Sequence, residues 1–556
     1  MPRMRHSVRT LALACFFASL GIAQASSASD AAFYRHQARP GDTLIGLGQA
    51  LLIRPSDWPQ LAKLNRIEHP RHIPIGTLIR IPVALMKSKP VQGTVLAVVG
   101  NAMLNPVHGE SSPVQIGAAI TPGTEIRTGS DGYVTVQLAD GSVLRMQSDT
   151  TTQLEGSEHY EAAGFFASRL RLIKGRLEAL VSHMTGGEPR FEVKTPQALL
   201  GVRGTEFRIA VDDATHVTRG EVLDGAVAFG AATGQHQTAR RLAAGYGALV
   251  GPQRTVSTPV LLPAPPDLSA VPALHERVVL RINVPALPGA ALYRAQLASD
   301  AGFQQVQGEL KGSTPEFRFV GLPDGHYHLR VRVANAQGIE GPDATRQIHL
   351  KARPEAPIST QPTPGAKLRA TAVAMAWAEQ PEADHYRLQV TQDPSFQKVL
   401  HEDRNVRDTR YTLNLPVGNY RWRVASVRPD GDQGPFGDPQ SFELRAPPPQ
   451  PEPPKIDAQF MSFNWAGEPG QSFEFQLARD AAFAHLLVKR SVAEPRIQVA
   501  RPDEGGRFYI RYQAFDADGF VGPFTAPQVI NLPHCVQDGG GQCLLTGFGD
   551  RVISPW

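Results

Sequence analysis

Alternating apolar and polar residues mark three similar segments in the second half of the chain. They read Gly325-His-Tyr-His-Leu-Arg-Val331, Gly418-Asn-Tyr-Arg-Trp-Arg-Val424 and Gly506-Arg-Phe-Tyr-Ile-Arg-Tyr512. A period of two predicts a β-strand with one buried face. A Gly-Pro pair follows each segment, at Gly341-Pro342, Gly434-Pro435 and Gly522-Pro523. The pattern therefore predicts one strand and one turn that occur three times.

A second motif repeats with the same spacing of roughly 90 residues. Its copies run from Tyr293 to Asp300, from Tyr386 to Asp393 and from Phe473 to Asp480, and each is followed by Phe303, Phe396 or Phe483. Proline clusters at residues 259–272, 354–364 and 447–454 favour extended connectors between the copies. We therefore expect three domains, at residues 273–351, 357–446 and 452–532.

Repeats of this size, with a Tyr-x-Trp-Arg-Val strand before a Gly-Pro turn, resemble fibronectin type III domains. The resemblance implies three tandem Ig/fibronectin III-like β-sandwiches. Trp377, Trp422 and Trp465 fit the cores of such sandwiches, and a sugar-stacking platform is the alternative.

Residues 92–255 are also rich in predicted strands. Residues 133–138 alternate, Asp140-Gly141 predicts a tight turn, and residues 142–146 complete a hairpin. The motifs Thr128-Gly-x-x-Gly132, Asp140-Gly-Ser142, Thr195-Pro196 and Val202-Arg-Gly-Thr-x-Phe207 occur in this order. The set resembles the FecR domain, which implies an extracytoplasmic all-β module known from iron-transport signalling.

Arg203, Gly204 and Thr205 in the last motif have two interpretations. Either they contact a partner, or Gly204 meets a backbone constraint and Arg203 pairs with a local carboxylate; the structural interpretation is favoured. FecR family members that regulate sigma factors carry a cytoplasmic segment and a spanning helix ahead of this domain. Neither is expected in the sequence before residue 92, so direct transmembrane signalling is not predicted.

Residues 33–83 combine a predicted strand, two helices and a second strand. Asp42 or Thr43 can cap the first helix, and the second surrounds residues 58–65. Three motifs, Gly41-Asp-Thr-Leu44, Trp58-Pro-Gln-Leu-Ala-Lys-Leu-Asn65 and Gly76-Thr-Leu-Ile-Arg-Ile-Pro82, occur in order. Together they resemble a LysM domain, which implies a small βααβ fold.

The LysM resemblance implies binding of N-acetylglucosamine-containing glycans such as peptidoglycan, in a shallow groove between two loops. The implied contact residues are Gly41, Asp42, Thr43, Leu44, Asn65, Arg66, Ile67, Ile73 and Pro74. Alternatively, Leu44 belongs to the core, Asp42 caps a helix, and Asn65 ends one.

The first 25 residues have the layout of a cleavable export signal. Arg3, Arg5 and Arg9 precede an apolar run from Leu11 to Ile22, which is shorter than the roughly 20 residues of a spanning helix. A retained anchor is the alternative. Since no later segment is apolar for long enough to span a bilayer, we expect a periplasmic or cell-surface protein without a transmembrane segment after cleavage.

Two of the 3 cysteines, Cys535 and Cys543, lie in a C-terminal tail of residues 533–556. In an oxidising compartment we expect them to form one disulfide across a glycine-rich turn. The formal net charge of +4 falls to +1 when the three leader arginines are removed, which gives no support to nucleic-acid binding.

Signs of catalysis are few. His326-Tyr-His328 and His534-Cys-Val-Gln-Asp538 have spacings that zinc ligands use, but the first pair lies on a repeat strand whose other copies carry different residues. The sequence contains no Gly-x-Ser-x-Gly motif. We therefore expect no enzymatic activity, no cofactor and no metal.

These features favour a non-enzymatic envelope protein that binds peptidoglycan near its N-terminus and presents its β-domains to a protein or glycan partner. The first alternative is an extracytoplasmic FecR-type sensor coupled to an outer-membrane receptor. A cell-wall hydrolase is a further alternative, since scattered carboxylates can form a glycosidase pair in a fold.

Overall fold

A computed structural model describes residues 33–182, 191–232, 239–457, 459–534, 536, 538–540, 542–547 and 552–553. The predicted export signal lies outside the described residues. Half of the residues form strands and 5% form helices, in several separate sheets, which confirms a mainly β chain and agrees with the predicted multidomain organisation. The chain divides into two compact units. Unit 1 comprises Met1–Ala273, Arg281–Phe319 and His326–Ile348, and unit 2 comprises Leu274–Leu280, Val320–Gly325 and His349–Trp556.

Unit 1 begins with a strand, two helices and a strand. These are β1 (Phe33–Gln37), α1 (Leu44–Leu51), α2 (Trp58–Asn65) and β2 (Leu78–Pro82), with 3-10 turns at Pro55–Asp57 and Val83–Leu85. β1 and β2 are antiparallel, with Phe33 opposite Pro82 and Gln37 opposite Leu78. We call residues 33–83 the N-terminal module.

Both helices of the N-terminal module have clear local causes. The Thr43 hydroxyl caps α1 by accepting a hydrogen bond from the Gly46 amide at 3.0 Å. Leu44, Leu47 and Leu51 then place an apolar stripe in the core. α2 ends where Arg66 adopts a left-handed conformation, with φ of 54°.

The central β-domain follows and contains eighteen strands among the described residues. They are β3 (Lys89–Pro90), β4 (Gly93–Val99), β5 (Ala102–Asn105), β6 (Ser112–Pro113), β7 (Ala119–Ile120), β8 (Glu125–Thr128), β9 (Tyr133–Gln137), β10 (Val143–Met146), β11 (Thr151–Tyr160), β12 (Phe165–Leu180), β13 (Phe191–Lys194), β14 (Ala198–Val202), β15 (Glu206–Asp212), β16 (Val217–Asp224), β17 (Ala226–Ala231), β18 (Arg240–Ala243), β19 (Tyr246–Val250) and β20 (Val260–Leu261). Their inner faces share one large apolar core.

Strand β12 joins the two sheets of the central β-domain. Its first half pairs with β11 and β13, and its second half pairs with β10 and β15. Gly175 lies at the change of partners with φ of 89°, and a Cβ atom there would meet the Thr150 hydroxyl oxygen at 2.4 Å. Glycine is therefore required at this position by both conformation and space.

Most of the first repeat also belongs to unit 1. Its strands are β21 (Leu274–His275), β22 (Leu280–Asn283), β23 (Leu292–Ala298), β24 (Val306–Gly312), β25 (Glu316–Phe319), β26 (Gly325–Ala334) and β27 (Ala344–Leu350). β23 is antiparallel to β24 on one side and to β26 on the other. The predicted strand from Gly325 therefore lies beside the predicted strand from Tyr293.

Unit 2 contains the second and third repeats. Their strands are β28 (Ser359–Gln361), β29 (Ala366–Arg369), β30 (Ala372–Trp377), β31 (His385–Thr391), β32 (His401–Val406), β33 (Arg410–Asn414), β34 (Gly418–Val427), β35 (Gln433–Phe436), β36 (Gln440–Arg445), β37 (Lys455–Ile456), β38 (Phe460–Asn464), β39 (Ser472–Ala478), β40 (Leu486–Val492), β41 (Arg496–Ala500), β42 (Gly506–Phe515), β43 (Val521–Phe524) and β44 (Gln528–Leu532).

Each of these two repeats has two sheets around one apolar core. Trp377 and Trp422 are buried in the core of the second repeat, and Trp465 is buried in the core of the third. Their burial favours the core interpretation over a sugar-stacking platform. Within the described residues, no helix is long and apolar enough to cross a membrane.

Candidate functional site

Two loops of the N-terminal module, residues 38–43 and 66–77, lie side by side. The Leu44 amide donates a hydrogen bond to the Pro70 carbonyl at 2.8 Å. The Ala38 amide donates to the Thr77 carbonyl, and the Gly76 amide donates to the Ala38 carbonyl. The loops therefore meet at both ends, and they bring the two halves of the predicted site together. We call this pair of loops the two-loop site.

Two predicted contact residues are part of the core. Leu44 is fully buried, Ile73 is 9% exposed, and both pack in the apolar cluster of the module. Leu44 is buried because it begins the apolar stripe of α1, beside Leu47 and Leu51. Both side chains therefore have a structural role in the core, and their predicted role as glycan contacts stays a prediction.

Asp42 and Thr43 organise the first loop. The Asp42 carboxylate accepts hydrogen bonds of 2.7 Å from the Arg39 amide and from Nε2 of His36. The Arg39 amide, followed by the His36 side chain, lowers the pKa of Asp42 below its ordinary value. Thr43 caps α1. Both residues therefore hold the loop in shape.

Asn65 and Ile67 organise the second loop. The Asn65 amide nitrogen donates to the carbonyls of Leu61 and Arg80, and its oxygen accepts from the Arg80 amide at 2.7 Å. These bonds link the end of α2 to β2. Ile67 is partly buried against the core, and its amide donates to the Ala62 carbonyl. Asn65 thus does more than end a helix.

The remaining predicted residues are on the surface. Gly41, Arg66 and Pro74 are exposed, and Gly41 has φ of 87° with no atom near a Cβ position. Ile75, which was not among the predicted contact residues, is 71% exposed in the second loop. The alternation Ile73-Pro74-Ile75 could have identified it, because one isoleucine enters the core and the other faces solvent.

The module is anchored to the central β-domain. Its apolar cluster includes Tyr160 and Phe165, which flank the turn between β11 and β12. The Tyr34 ring stacks on Phe165 with centroids 5.5 Å apart. The module that carries the two-loop site therefore shares its apolar core with the central β-domain.

A second set of polar residues joins the central β-domain to the first repeat. We call it the buried charge cluster; its members are Arg176, Glu178, Arg208, Glu221, Arg294, Glu309, Arg330, Arg332, Glu340 and Asp343. It contains five arginines and five carboxylates; four of the carboxylates form ion pairs with arginines, and Glu221 accepts a hydrogen bond from the Glu340 amide.

Glu178 and Glu340 hold the centre of this cluster. Glu178 pairs with Arg332 at 2.7 Å and with Arg330 at 3.2 Å. Glu340 pairs with Arg176 at 2.8 Å and with Arg294 at 2.9 Å. Asp343 completes the set by pairing with Arg208 at 3.0 Å. Buried charges are tolerated only when paired in this way.

Burial and charge act against each other at these carboxylates. Burial alone raises the pKa of Glu178, but Arg330 and Arg332 outweigh it and hold that pKa well below its ordinary value. Arg176 and Arg294 likewise lower the pKa of Glu340 against the effect of burial. At Glu221 burial prevails and raises the pKa, although Arg176 opposes it.

The Arg203-Gly204-Thr205 motif shapes a turn through Gly204 and Thr205. Gly204 has φ of 57°, and the buried Thr205 hydroxyl donates to the Ala226 carbonyl at 3.1 Å. These contacts hold the turn before β15 against β17. They favour the structural interpretation of the motif.

Cys543 forms a disulfide. Its predicted partner, Cys535, lies outside the described residues, so the Cys535–Cys543 pairing stays a prediction. Across the part of the chain that the structure describes, no three His, Cys, Asp or Glu side chains are grouped as metal ligands would be.

Residues 124–228 match the FecR protein family, which confirms a FecR domain within the predicted range of 92–255. No curated protein matches the chain. Two crystal structures of a candidate anti-sigma factor from Parabacteroides distasonis ATCC 8503 are 19% and 18% identical, with TM-scores of 0.21 and 0.20. Each comparison covers 25% of this chain and 59% of that one. The chicken CNTN1 FN1–FN3 structure is 16% identical, with a TM-score of 0.19, and the match covers 46% of this chain and 95% of that one.

Proposed function

We propose that this protein is a non-enzymatic component of the bacterial cell envelope that binds peptidoglycan through the two-loop site. The observation that carries the proposal is the close pairing of loops 38–43 and 66–77. The pairing leaves Gly41 exposed on the first loop, and it leaves Pro74 and Ile75 exposed on the second. In this account, the FecR domain and the repeats are presented to a protein or glycan partner in the periplasm or at the cell surface.

The chemistry of the site suits an acetamido sugar. Such a sugar needs polar groups in fixed positions next to a small apolar surface. Asp42 and Asn65 fix the two loops by internal hydrogen bonds, so little ordering is required when a ligand binds. Ile75 and Pro74 provide the apolar surface against which a methyl group or sugar face can pack.

Co-sedimentation with purified sacculi tests this function. We expect the chain from residue 26 onward to sediment with sacculi, and a chain that lacks residues 26–90 to remain in the supernatant. The turbidity of the sacculi should stay constant, whereas a hydrolase would clear it. Equal sedimentation of both chains would contradict the proposal.

The second candidate function is a FecR-type sensor or regulator, which the family match at residues 124–228 favours. A partner would then recognise the FecR domain. The face that carries Glu178 and Arg208 is already covered by the first repeat, so a partner must use another face or displace that repeat. A stable complex with the periplasmic part of an outer-membrane receptor, without binding to sacculi, would favour this function over the first.

A further inference from the structure

We propose that the two-loop site selects peptidoglycan that still carries its acidic stem peptides over the same glycan without peptides. The inference rests on the proposed binding of peptidoglycan and adds a preference within that ligand. It comes from the charge around the site, which neither the fold nor the motifs require.

The N-terminal module is far more basic than the rest of the chain. Residues 33–83 contain seven basic residues, Arg35, Arg39, Arg54, Lys63, Arg66, Arg71 and Arg80, and three acidic ones, Asp42, Asp57 and Glu68. The resulting formal charge of +4 equals that of the whole chain. Cationic character is therefore concentrated in the module, and the two loops hold three of its basic residues, Arg39, Arg66 and Arg71, with two acidic ones, Asp42 and Glu68.

Three of these arginines lie on the two loops, and we call Arg39, Arg66 and Arg71 the basic rim. Arg39 follows Ala38, whose backbone is bonded to Gly76 and Thr77. Arg71 follows Pro70, whose carbonyl accepts from the Leu44 amide. Arg66 is the residue at which α2 ends. Backbone hydrogen bonds thus hold the loops that carry the rim together.

All three arginines of the basic rim are exposed. Among the described residues, none of their guanidinium groups lies within 4.0 Å of a carboxylate oxygen. Asp42 lies on the first loop, where its carboxylate accepts hydrogen bonds from the Arg39 amide and from His36 and also interacts electrostatically with the charge of the Arg39 side chain. Glu68, His69 and His72 are also exposed on the second loop. Glu68 is thus the one exposed acid among the described residues 66–77.

An anionic ligand fits this arrangement better than a neutral one. The glycan strand offers hydroxyl and acetamido groups, whereas stem peptides add carboxylates along it. Guanidinium groups bind carboxylates through paired, charge-assisted hydrogen bonds. Because the rim is exposed, each pair contributes modestly and is weakened by salt. The site therefore gains affinity from several peptides or carboxylates on one strand.

The experiment compares sacculi of a Gram-negative bacterium, which lack wall teichoic acid, before and after an amidase has removed the stem peptides. We expect the unmodified protein to bind intact sacculi about tenfold more tightly at low salt, as two or three exposed ion pairs permit. Raising the salt from about 0.05 to about 0.5 M should shrink that difference. Equal affinity for both preparations would overturn the inference and leave the proposed function standing.

Charge-matched variants locate the effect. Arg39→Gln/Arg71→Gln should bind intact sacculi about fivefold more weakly and peptide-free glycan unchanged. The control Arg54→Gln/Lys63→Gln removes the same charge from exposed positions outside the two loops and should retain the preference. A control variant that loses the preference equally would overturn the assignment to the rim. Failure of the unmodified protein to bind either preparation would instead refute the proposed function itself.

Discussion

Glu178 of the FecR domain and Arg332 of the first repeat form a buried ion pair, with 2.7 Å between Oε1 and Nη1. The pair connects two segments that the sequence analysis assigned to separate domains. Further buried arginines and carboxylates surround the pair, so ion pairs form much of the junction between the FecR domain and the first repeat. We expect the FecR domain and the first repeat to act as one body.

Glu178→Gln should loosen this junction strongly. The change leaves Arg330 and Arg332 without their shared carboxylate, and loss of one partner from a buried pair costs about 3–5 kcal/mol. Hydrogen exchange of peptides from β12 and β26 should accelerate together. The exposed Glu161, which pairs with Lys89, provides the control, and Glu161→Gln should leave exchange in both strands unchanged. Unchanged exchange in the Glu178 variant would show that the pair does not hold the junction.

Acid should destabilise unit 1 through the same cluster. Because the folded-state pKa values of Glu178, Glu340 and Asp343 are lowered, their contribution is complete above the ordinary values of 4.5 and 3.8 and is lost as pH falls through the folded values. Glu221 has a raised pKa and opposes this trend. The urea midpoint should fall between about pH 6 and about pH 3, and less steeply in Glu178→Gln. Parallel slopes for the two proteins would exclude Glu178 as a major contributor.

In the second and third repeats, the arginine that corresponds to Arg330 contacts aromatic rings on both sides. Arg423 lies between the rings of Phe396 and Phe436, at 4.1 and 4.2 Å, and Arg511 lies likewise between Phe483 and Phe524. In the first repeat Asp343 occupies the position of Phe436 and Phe524, and the equivalent Arg330 pairs with Glu178. The first repeat is therefore specialised for contact with the FecR domain.

Phe524→Ala should destabilise the third repeat by about 1–3 kcal/mol, because Arg511 loses one of its two rings and nearby apolar contacts. Trp465 in the core of that repeat gives a fluorescence signal for its unfolding. Phe520→Ala removes a phenylalanine that lies over a different arginine, Arg445, at 5.5 Å, and should have a smaller effect. Equal losses in both variants would mean that the double stacking is unimportant.

Gly175→Ala should disturb the centre of the FecR domain. The new Cβ would be 2.4 Å from the Thr150 hydroxyl oxygen, in a backbone conformation with φ of 89°. Strain of this kind costs about 1–3 kcal/mol, so the melting temperature of unit 1 should fall by several degrees. Gly164→Ala has a similar positive φ but open space around it, and should cost less. The opposite order would contradict the steric argument.

Periodicity predicted many of the strands because the alternation of apolar and polar residues within one segment indicates a strand whatever its partners are. The strand from Gly325 and the strands around Tyr133 and Val143 occur where alternation placed them. The motifs also identified the FecR domain, which the family match confirms. Charged residues on the outer faces of strands gave no such signal. The sequence pattern predicts that Arg330 and Glu178 face solvent, whereas the packing of the two domains buries them.

The candidate site shows the same limit. Sequence motifs identified both loops, but they did not separate residues that shape the loops from those that face solvent. Leu44 and Ile73 share the motif with Gly41 and Pro74, yet the first two are buried. Side-chain direction depends on where α1 packs, and a motif does not encode it. The LysM and fibronectin III resemblances and the Cys535–Cys543 pairing remain predictions.

Under the proposed function, the exposed surface of the two-loop site binds peptidoglycan. Deletion of the module also exposes Tyr160 and Phe165, which pack against it, so a point variant gives the cleaner result. The measurement is the dissociation constant for intact sacculi of Ile75→Ser, compared with Ile53→Ser, which changes another exposed isoleucine of the same module outside the loops. We predict that Ile75→Ser weakens binding about tenfold or more and that Ile53→Ser matches the unmodified protein, because only Ile75 loses apolar contact with the ligand. Equal binding by all three proteins would show that this surface does not bind peptidoglycan.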